Sequence, residues 1–214
     1  IAGLDQPDSG AVLLDIGLDG QEQSVPWERL GRVGYMQQKD LLLPWRTVLD
    51  NATLGLEIRG VSRRQARKQA MELTESFGLN GFENQYPFAL SGGMRQRAAF
   101  LRTMLLGQEM VLLDEPFGAL DALTRVQMQE WLLTLWGSMN STIILITHDM
   151  DEAILVSDRV YVLTSRPGRV KMILDVDLPR PRDLEAVTSP TFAVLKAKLV
   201  AALREETVRV GVAL

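Results

Sequence analysis

Two adjacent acids at the end of an apolar run are the first feature of this sequence with chemical content. Val111, Leu112 and Leu113 lead directly into Asp114 and Glu115. The run has the length and composition of a buried parallel strand. In open α/β sheets ligands bind beyond the carboxyl ends of the strands, so this acid pair stands where chemistry is done. An Asp there can hold a magnesium ion carried by phosphates. The following Glu can orient or deprotonate a water. Pro116 lacks a donor and stops the strand. An isolated pair of this kind also fits a solvated turn, so the surroundings must decide.

Upstream, Ser91-Gly92-Gly93 opens a run with helical spacing through Met94, Gln96, Ala98, Ala99, Leu101, Met104 and Leu105. Ser91 can cap that helix, and the glycines let backbone N–H groups come close to an anion. A helix N-terminus carries about half a positive charge, worth roughly 0.3–1 kcal/mol to a nearby anion. An ordinary cap with a flexible turn fits the same residues. Downstream, Gly118-Ala119-Leu120-Asp121 forms a tight turn. His148, the single histidine, follows the apolar run Thr142–Ile146 as Glu115 follows its own run.

In this order and at this spacing, LSGGMRQR followed by VLLDEPFGALD and then ITHDMDEAILVSDRV resembles the ABC ATPase family. The corresponding parts are the signature motif, the Walker B strand, the catalytic glutamate, the D-loop and the switch histidine. The resemblance extends over nearly the whole chain. LLLPW at 41–45, VLTSRPGRV and DVDLPRPR resemble the importers for nitrate, sulfonates, taurine and similar small solutes.

The resemblance implies an α/β, P-loop NTPase-like (RecA-like) fold. It would have a mainly parallel sheet, an inserted helical subdomain over 46–105 and a C-terminal strand and helix extension over 165–214, incomplete before residue 1. It implies ATP and Mg2+ as ligands. Asp114 and Gln38 would attend the magnesium, Glu115 would be the general base, and His148 would contact the γ-phosphate. Ser91, Gly92 and Gly93 would meet the nucleotide of a second subunit in a head-to-tail dimer, with Asp121 coupling the two sites. Gln37 and Gln38 compete for the Q-loop position. Gln38, six residues before Pro44, is taken because an amide can ligate a cation and donate a hydrogen bond at once. The implied partners are transmembrane permease subunits and, indirectly, a solute-binding protein, at the cytoplasmic face of the membrane. A soluble ABC ATPase without a transport role, or an inactive interaction remnant, are the other readings.

No GxxxxGK[ST] loop occurs in the 214 residues, and the chain opens Ile-Ala-Gly-Leu. By the resemblance that loop lies just before Ile1, so the chain reads as part of a longer gene product. The expectation is that this piece alone binds ATP poorly and leaves open sheet edges.

Composition agrees with a globular domain. The 214 residues are 46% hydrophobic and 23% charged, with a net charge of −4 and a pI near 5.2. No long basic run marks a nucleic-acid binder. There is no cysteine, so disulfides and thiolate metal sites are excluded. No apolar run approaches the ~20 residues of a membrane span.

The elements that must position these residues follow from periodicity. Strands are predicted over Ala11–Asp15, Arg32–Met36, Thr142–Ile146, Arg159–Leu163 and Arg169–Val176, with a polar, turn-rich stretch over 17–27. Helices are predicted over Thr47–Arg59, Ser62–Phe77 with a Ser62 cap and a Gly78 stop, Leu123–Trp136, and a last one carrying Phe192, Leu195, Leu199 and Leu203. Arg63, Arg64, Arg67 and Lys68 read as a solvated basic face. Trp45 is either a partner contact or a buried anchor. Tyr86, Pro87 and Phe88 are expected to hold the Ser-Gly-Gly turn in place.

Overall fold

The computed structural model describes residues 1–14, 29–136 and 141–209. These fall into two compact units, Ile1–Arg125 with Met139–Ile146, and Val126–Ser138 with Thr147–Leu214.

The first unit is built on a parallel sheet of three strands, β1 (Val33–Met36), β2 (Met110–Asp114) and β3 (Thr142–Ile146), in that spatial order. Val33 pairs with Met110 and Met36 with Leu113, while Met110 pairs with Thr142 and Asp114 with Ile146. The central strand owes its place to Val111 and Leu113, both fully buried. Ile144 and Ile146 on β3 are exposed, at 36% and 55%.

Between β1 and β2 the chain is helical. The helix expected over Thr47–Arg59 is two short ones, α1 (Val48–Ala52) and α2 (Leu54–Ile58). They part at Thr53, whose hydroxyl bonds the Asp50 carbonyl and the Glu57 carboxylate instead of facing solvent. The next helix, α3 (Arg63–Thr74), has the predicted Ser62 cap, whose hydroxyl accepts from the Gln65 amide. It buries Ala66, Ala70 and Thr74 at a four-residue interval and ends three residues before Phe77. Gly78 follows at φ +62°, a left-handed stop. The basic face of α3 is not simply solvated. Arg63 and Arg67 both pair with Asp50, whose carboxyl burial alone would push up. The two guanidiniums reverse that and hold it below the usual range. A 3₁₀ turn, Pro87–Ala89, leads into α4 (Gly92–Met104).

Two expectations fail here, and one of the two readings of Trp45 is removed. Residues 11–14 form no strand and pair with none among the described residues, while Asp15, the last residue of that predicted strand, lies outside them. Trp45 is 71% exposed, so it is no buried anchor. Tyr86 and Phe88 stack on one another, ring centroids 5.7 Å apart, and both face solvent, so only Pro87 is buried below the turn. The stretch 17–27 lies outside the described residues.

Helix α5 (Ala122–Trp136) continues the chain into the second unit. That unit holds α6 (Met150–Val156), a hairpin of β4 (Arg159–Leu163) and β5 (Val170–Asp175), and the long α7 (Pro190–Arg209). The strands match their predicted limits to within a residue. Phe192, Leu195 and Leu199 form the buried face of α7, as their spacing predicts, but Leu203, expected with them, is 38% exposed. The Pro-broken connector is fixed by Arg182. Its buried guanidinium donates to the carbonyls of Ile154, Leu155, Ser157, Val176 and Leu178 and to the Asp158 carboxylate. This satisfies the last carbonyls of α6, which have no partner inside the helix.

Candidate functional site

Asp114 is the last residue of β2, and Glu115 the first beyond it, both half-buried at the carboxyl edge of the sheet. Glu115 sits at φ +44°, a left-handed backbone that non-glycine residues seldom adopt. Its amide nonetheless bonds the Ile146 carbonyl at 2.9 Å, and its own carbonyl accepts from Gly118 at 3.1 Å. The kink turns Glu115 off the strand line and starts the turn that leads to Asp121. Backbone strain of this sort, costing on the order of 1–3 kcal/mol, gathers at functional sites.

Gln38, just beyond β1, donates its amide nitrogen to Glu115 Oε2 at 2.8 Å. The parallel β1–β2 pairing brings them together, since both strands point their carboxyl ends the same way. Gln37 is exposed and makes no such contact, so the register that places Gln38 opposite the acids is the one the fold adopts. The hydroxyl of Tyr35 donates to Asp114 Oδ2 at 3.4 Å. Partial burial, then the charge of Asp114, raises the Tyr35 phenol above its ordinary pKa. Tyr35 was not among the sequence candidates, because only strand register reveals that it faces Asp114.

The segment after Gln38 is tied to α4. Arg95 pairs with Asp40 at 3.3 Å, and Arg102 donates to the carbonyls of Asp40 and Leu41. Leu41, at φ +46°, needs that support. Burial holds the Arg102 guanidinium below its ordinary pKa, partly countered by the Asp40 charge.

Ser91, Gly92 and Gly93 stand at the start of α4, with Ser91 Oγ accepting from the Met94 amide at 3.2 Å. They lie beside the turn of Asp121. A Cβ placed on Gly93 would fall 2.7 Å from Thr124 Cγ2. Thr124 is itself held by Asp121, through its amide at 3.0 Å and its hydroxyl at 2.7 Å. Those bonds, the hydroxyl's first, keep the Asp121 carboxyl below its ordinary pKa. Helix α4 is joined to the acid turn by Gln96, which donates to the Pro116 carbonyl, and by Phe100 against Phe117. His148 belongs to the second unit, two residues past the end of β3.

The donor set suits a hard cation. Asp114 and the Gln38 carbonyl offer oxygen, and Gln38 engages Glu115 through nitrogen, which leaves its oxygen for a metal. Magnesium commonly takes only one or two protein carboxylates and completes its shell with phosphates and water. Among the described residues no group of three or more His, Cys, Asp and Glu side chains is poised as an all-protein metal cage.

The ABC transporter family profile matches residues 1–118. The chain is 46% identical over 209 residues to an uncharacterized ABC transporter ATP-binding protein of Methanocaldococcus jannaschii, covering 98% of this chain and 74% of that protein. It is 41% identical over 211 residues to a formylaminopyrimidine import ATP-binding protein of Halalkalibacterium halodurans, covering 98% and 80%. It is 42% identical over 195 residues to a taurine import ATP-binding protein of Rhizobium johnstonii, covering 88% and 72%. Among solved structures, it resembles a dimeric bacterial ABC transporter cassette with a TM-score of 0.67 at 27% identity, covering 83% of this chain and 78% of that one.

Proposed function

This chain belongs to the ABC transporter family of ATPases, and on that premise we propose that it energises import of a small solute as the ATP-binding subunit. The observation that carries the catalytic part is the 2.8 Å bond between Gln38 and Glu115 beside Asp114. It joins an amide, a candidate base and a candidate magnesium ligand at one sheet edge, where α/β folds bind ligands.

In this reading Asp114 and the Gln38 oxygen face the magnesium of Mg–ATP. The ion, when bound, screens phosphate charge. Glu115 accepts a proton from the attacking water, and Gln38 holds the carboxylate in line for it. His148 donates to the γ-phosphate. Ser91, Gly92 and Gly93 present helix-start amides to the nucleotide of a second subunit, and Asp121 links the two sites. The dimer reading is supported by the related cassette solved as a dimer.

The helical insert over 46–105 is the part we assign to the permease contact. Pro44 and Trp45 are exposed just before it. Within the insert a cavity of about 390 Å³ is lined by Leu49, Arg64, Arg67, Lys68, Met71, Glu83 and Asn84. A lining that mixes Leu49 and Met71 with Arg64, Arg67 and Lys68 suits an amphipathic helix bearing acidic residues. Among the described residues no helix is long and apolar enough to cross a membrane. We therefore assign membrane attachment, on the cytoplasmic face, to the permease, with a solute-binding protein supplying cargo. The C-terminal extension over 165–214 has no role assigned in transport.

For the solute we propose a small anionic or sulfonate-type compound such as nitrate, an alkyl sulfonate or taurine. The taurine import relative supports it, and the formylaminopyrimidine import relative names the competing class. The test is reconstitution of the complete protein with its permease and binding protein in vesicles. Magnesium-dependent ATP hydrolysis coupled to uptake of one of these solutes is expected. Hydrolysis uncoupled from every solute would overturn the importer assignment.

A further inference from the structure

We infer that Tyr35 is a positioning residue that sets the orientation of the Asp114 carboxylate toward a bound cation. The inference rests on the reading of Asp114 as a magnesium ligand given above.

The register of the sheet puts the two residues within reach. Tyr35 is the Cα partner of Leu112 on the neighbouring parallel strand, and Asp114 is two residues further along. Residues two apart in a strand share a face, so Tyr35 and Asp114 project to the same side of the sheet. They are diagonal neighbours. A serine or threonine at position 35 would be too short to cross that diagonal, and a phenylalanine would cross it without a donor. The phenol crosses it and places its hydroxyl 3.4 Å from Oδ2.

The neighbours of Tyr35 on β1 behave differently. Val33 and Met36 are buried and serve the core. Tyr35 is 36% exposed and directs its polar end to an acid at the sheet edge. A tyrosine kept for packing alone would bury its ring. Three residues later Gln38 does the same for the other acid, donating to Glu115 Oε2. Strand β1 and the residues just past its end thus deliver two donors, one to each carboxylate of the pair.

The chemical consequence lies in which oxygen is engaged. The phenol O–H occupies Oδ2 of Asp114, so Oδ1 is the oxygen presented to a cation. Fixing the carboxylate plane favours a single-oxygen contact of the kind magnesium takes, over a two-oxygen grip that suits the larger calcium ion. Groups that hydrogen-bond a metal-binding carboxylate orient it, and their removal weakens metal binding.

The test uses the complete protein carrying Tyr35→Phe, with Asp114→Asn alongside. Binding of Mn2+, a paramagnetic stand-in for magnesium, is followed by electron paramagnetic resonance in the presence of ADP. ADP binding is also measured by calorimetry in EDTA. Tyr35→Phe is expected to weaken Mn2+ binding about tenfold, and Asp114→Asn at least as much. Metal-free ADP binding should be unchanged in both. If Asp114→Asn weakens Mn2+ binding and Tyr35→Phe does not, the role given to Tyr35 is wrong while that of Asp114 stands. If neither variant changes Mn2+ binding, the reading of Asp114 fails and Tyr35 fails with it. An equal loss of metal-free ADP binding in Tyr35→Phe would make Tyr35 a support of the fold only, which also overturns the inference.

Discussion

Gln38 and Glu115, 77 positions apart in sequence, meet through a single 2.8 Å hydrogen bond. The amide engages the carboxylate through nitrogen and keeps its oxygen for another partner. Glu115 is held at both ends, by this bond and by a left-handed backbone anchored to Ile146. A base held in this way needs little reorganisation before a proton moves. In the complete protein Glu115→Gln should lower ATP turnover by roughly 10²–10⁴-fold, the range of general-base catalysis. It should also leave an ATP-bound dimer that survives size-exclusion chromatography. Turnover close to that of the unaltered protein would remove Glu115 from the role of base.

Gly93 tolerates no side chain without a shift. Alanine there meets the Thr124 methyl at 2.7 Å, and the Thr124 side chain cannot swing away without giving up its hydroxyl's bond to Asp121. We expect Gly93→Ala to cost about 1–3 kcal/mol of stability. Adding Thr124→Ser removes the methyl and keeps the hydroxyl, so the pair should recover most of the loss. Chemical denaturation of the two variants measures this, and a double variant no better than the single one refutes the contact.

Gln96 is buried and donates to the Pro116 carbonyl. Gln96→Leu fills similar space and leaves that carbonyl without its donor. A loss of about 1–3 kcal/mol follows from an unsatisfied buried acceptor. The acid turn starts one residue before Pro116, so ATP turnover should fall as well. Unaltered melting and turnover would contradict this.

Asp50 gives a pH-dependent prediction. Its folded pKa is held below the ordinary aspartate value, because Arg63 and Arg67 outweigh the upward push of burial. A carboxylate with a depressed folded pKa adds stability above its unfolded pKa and loses it as pH falls through the folded one. Asp50→Asn should therefore cost about 1–2 kcal/mol at neutral pH. The gap from the parent should close as pH falls through the folded pKa, below the ordinary aspartate range. Melting curves from pH 7 to pH 3 check the sign. A gap that widens in acid would show that Asp50 works otherwise.

Much of the sheet was legible because its strands are short, apolar and bounded by turn residues. Val111–Leu113 and Thr142–Ile146 could hardly be anything else, and the acids and histidine were found by their place after these runs. Local chemistry also gave the Ser62 and Ser91 caps. What the sequence withheld depends on partners far along the chain. Thr53 looks helical until its hydroxyl is seen bonding to Asp50 and Glu57. Trp45, Tyr86 and Phe88 are apolar enough for a core, and only the fold shows that they stay exposed. Tyr35 is an ordinary strand residue until register sets it against Asp114. The salt bridge from α3 to Asp50 hid inside what looked like a solvated stripe.

The five carbonyls gathered by Arg182 bear on how short the tail could become. Three of them, from Ile154, Leu155 and Ser157, belong to the end of α6 or just past it, well before the arginine itself. A chain cut after β5 would keep every residue of α6 yet strip its terminus of two cations that plug it, Arg182 and Arg180, the latter on the Val156 carbonyl. Any shortened form of this unit must therefore retain the connector through Arg182.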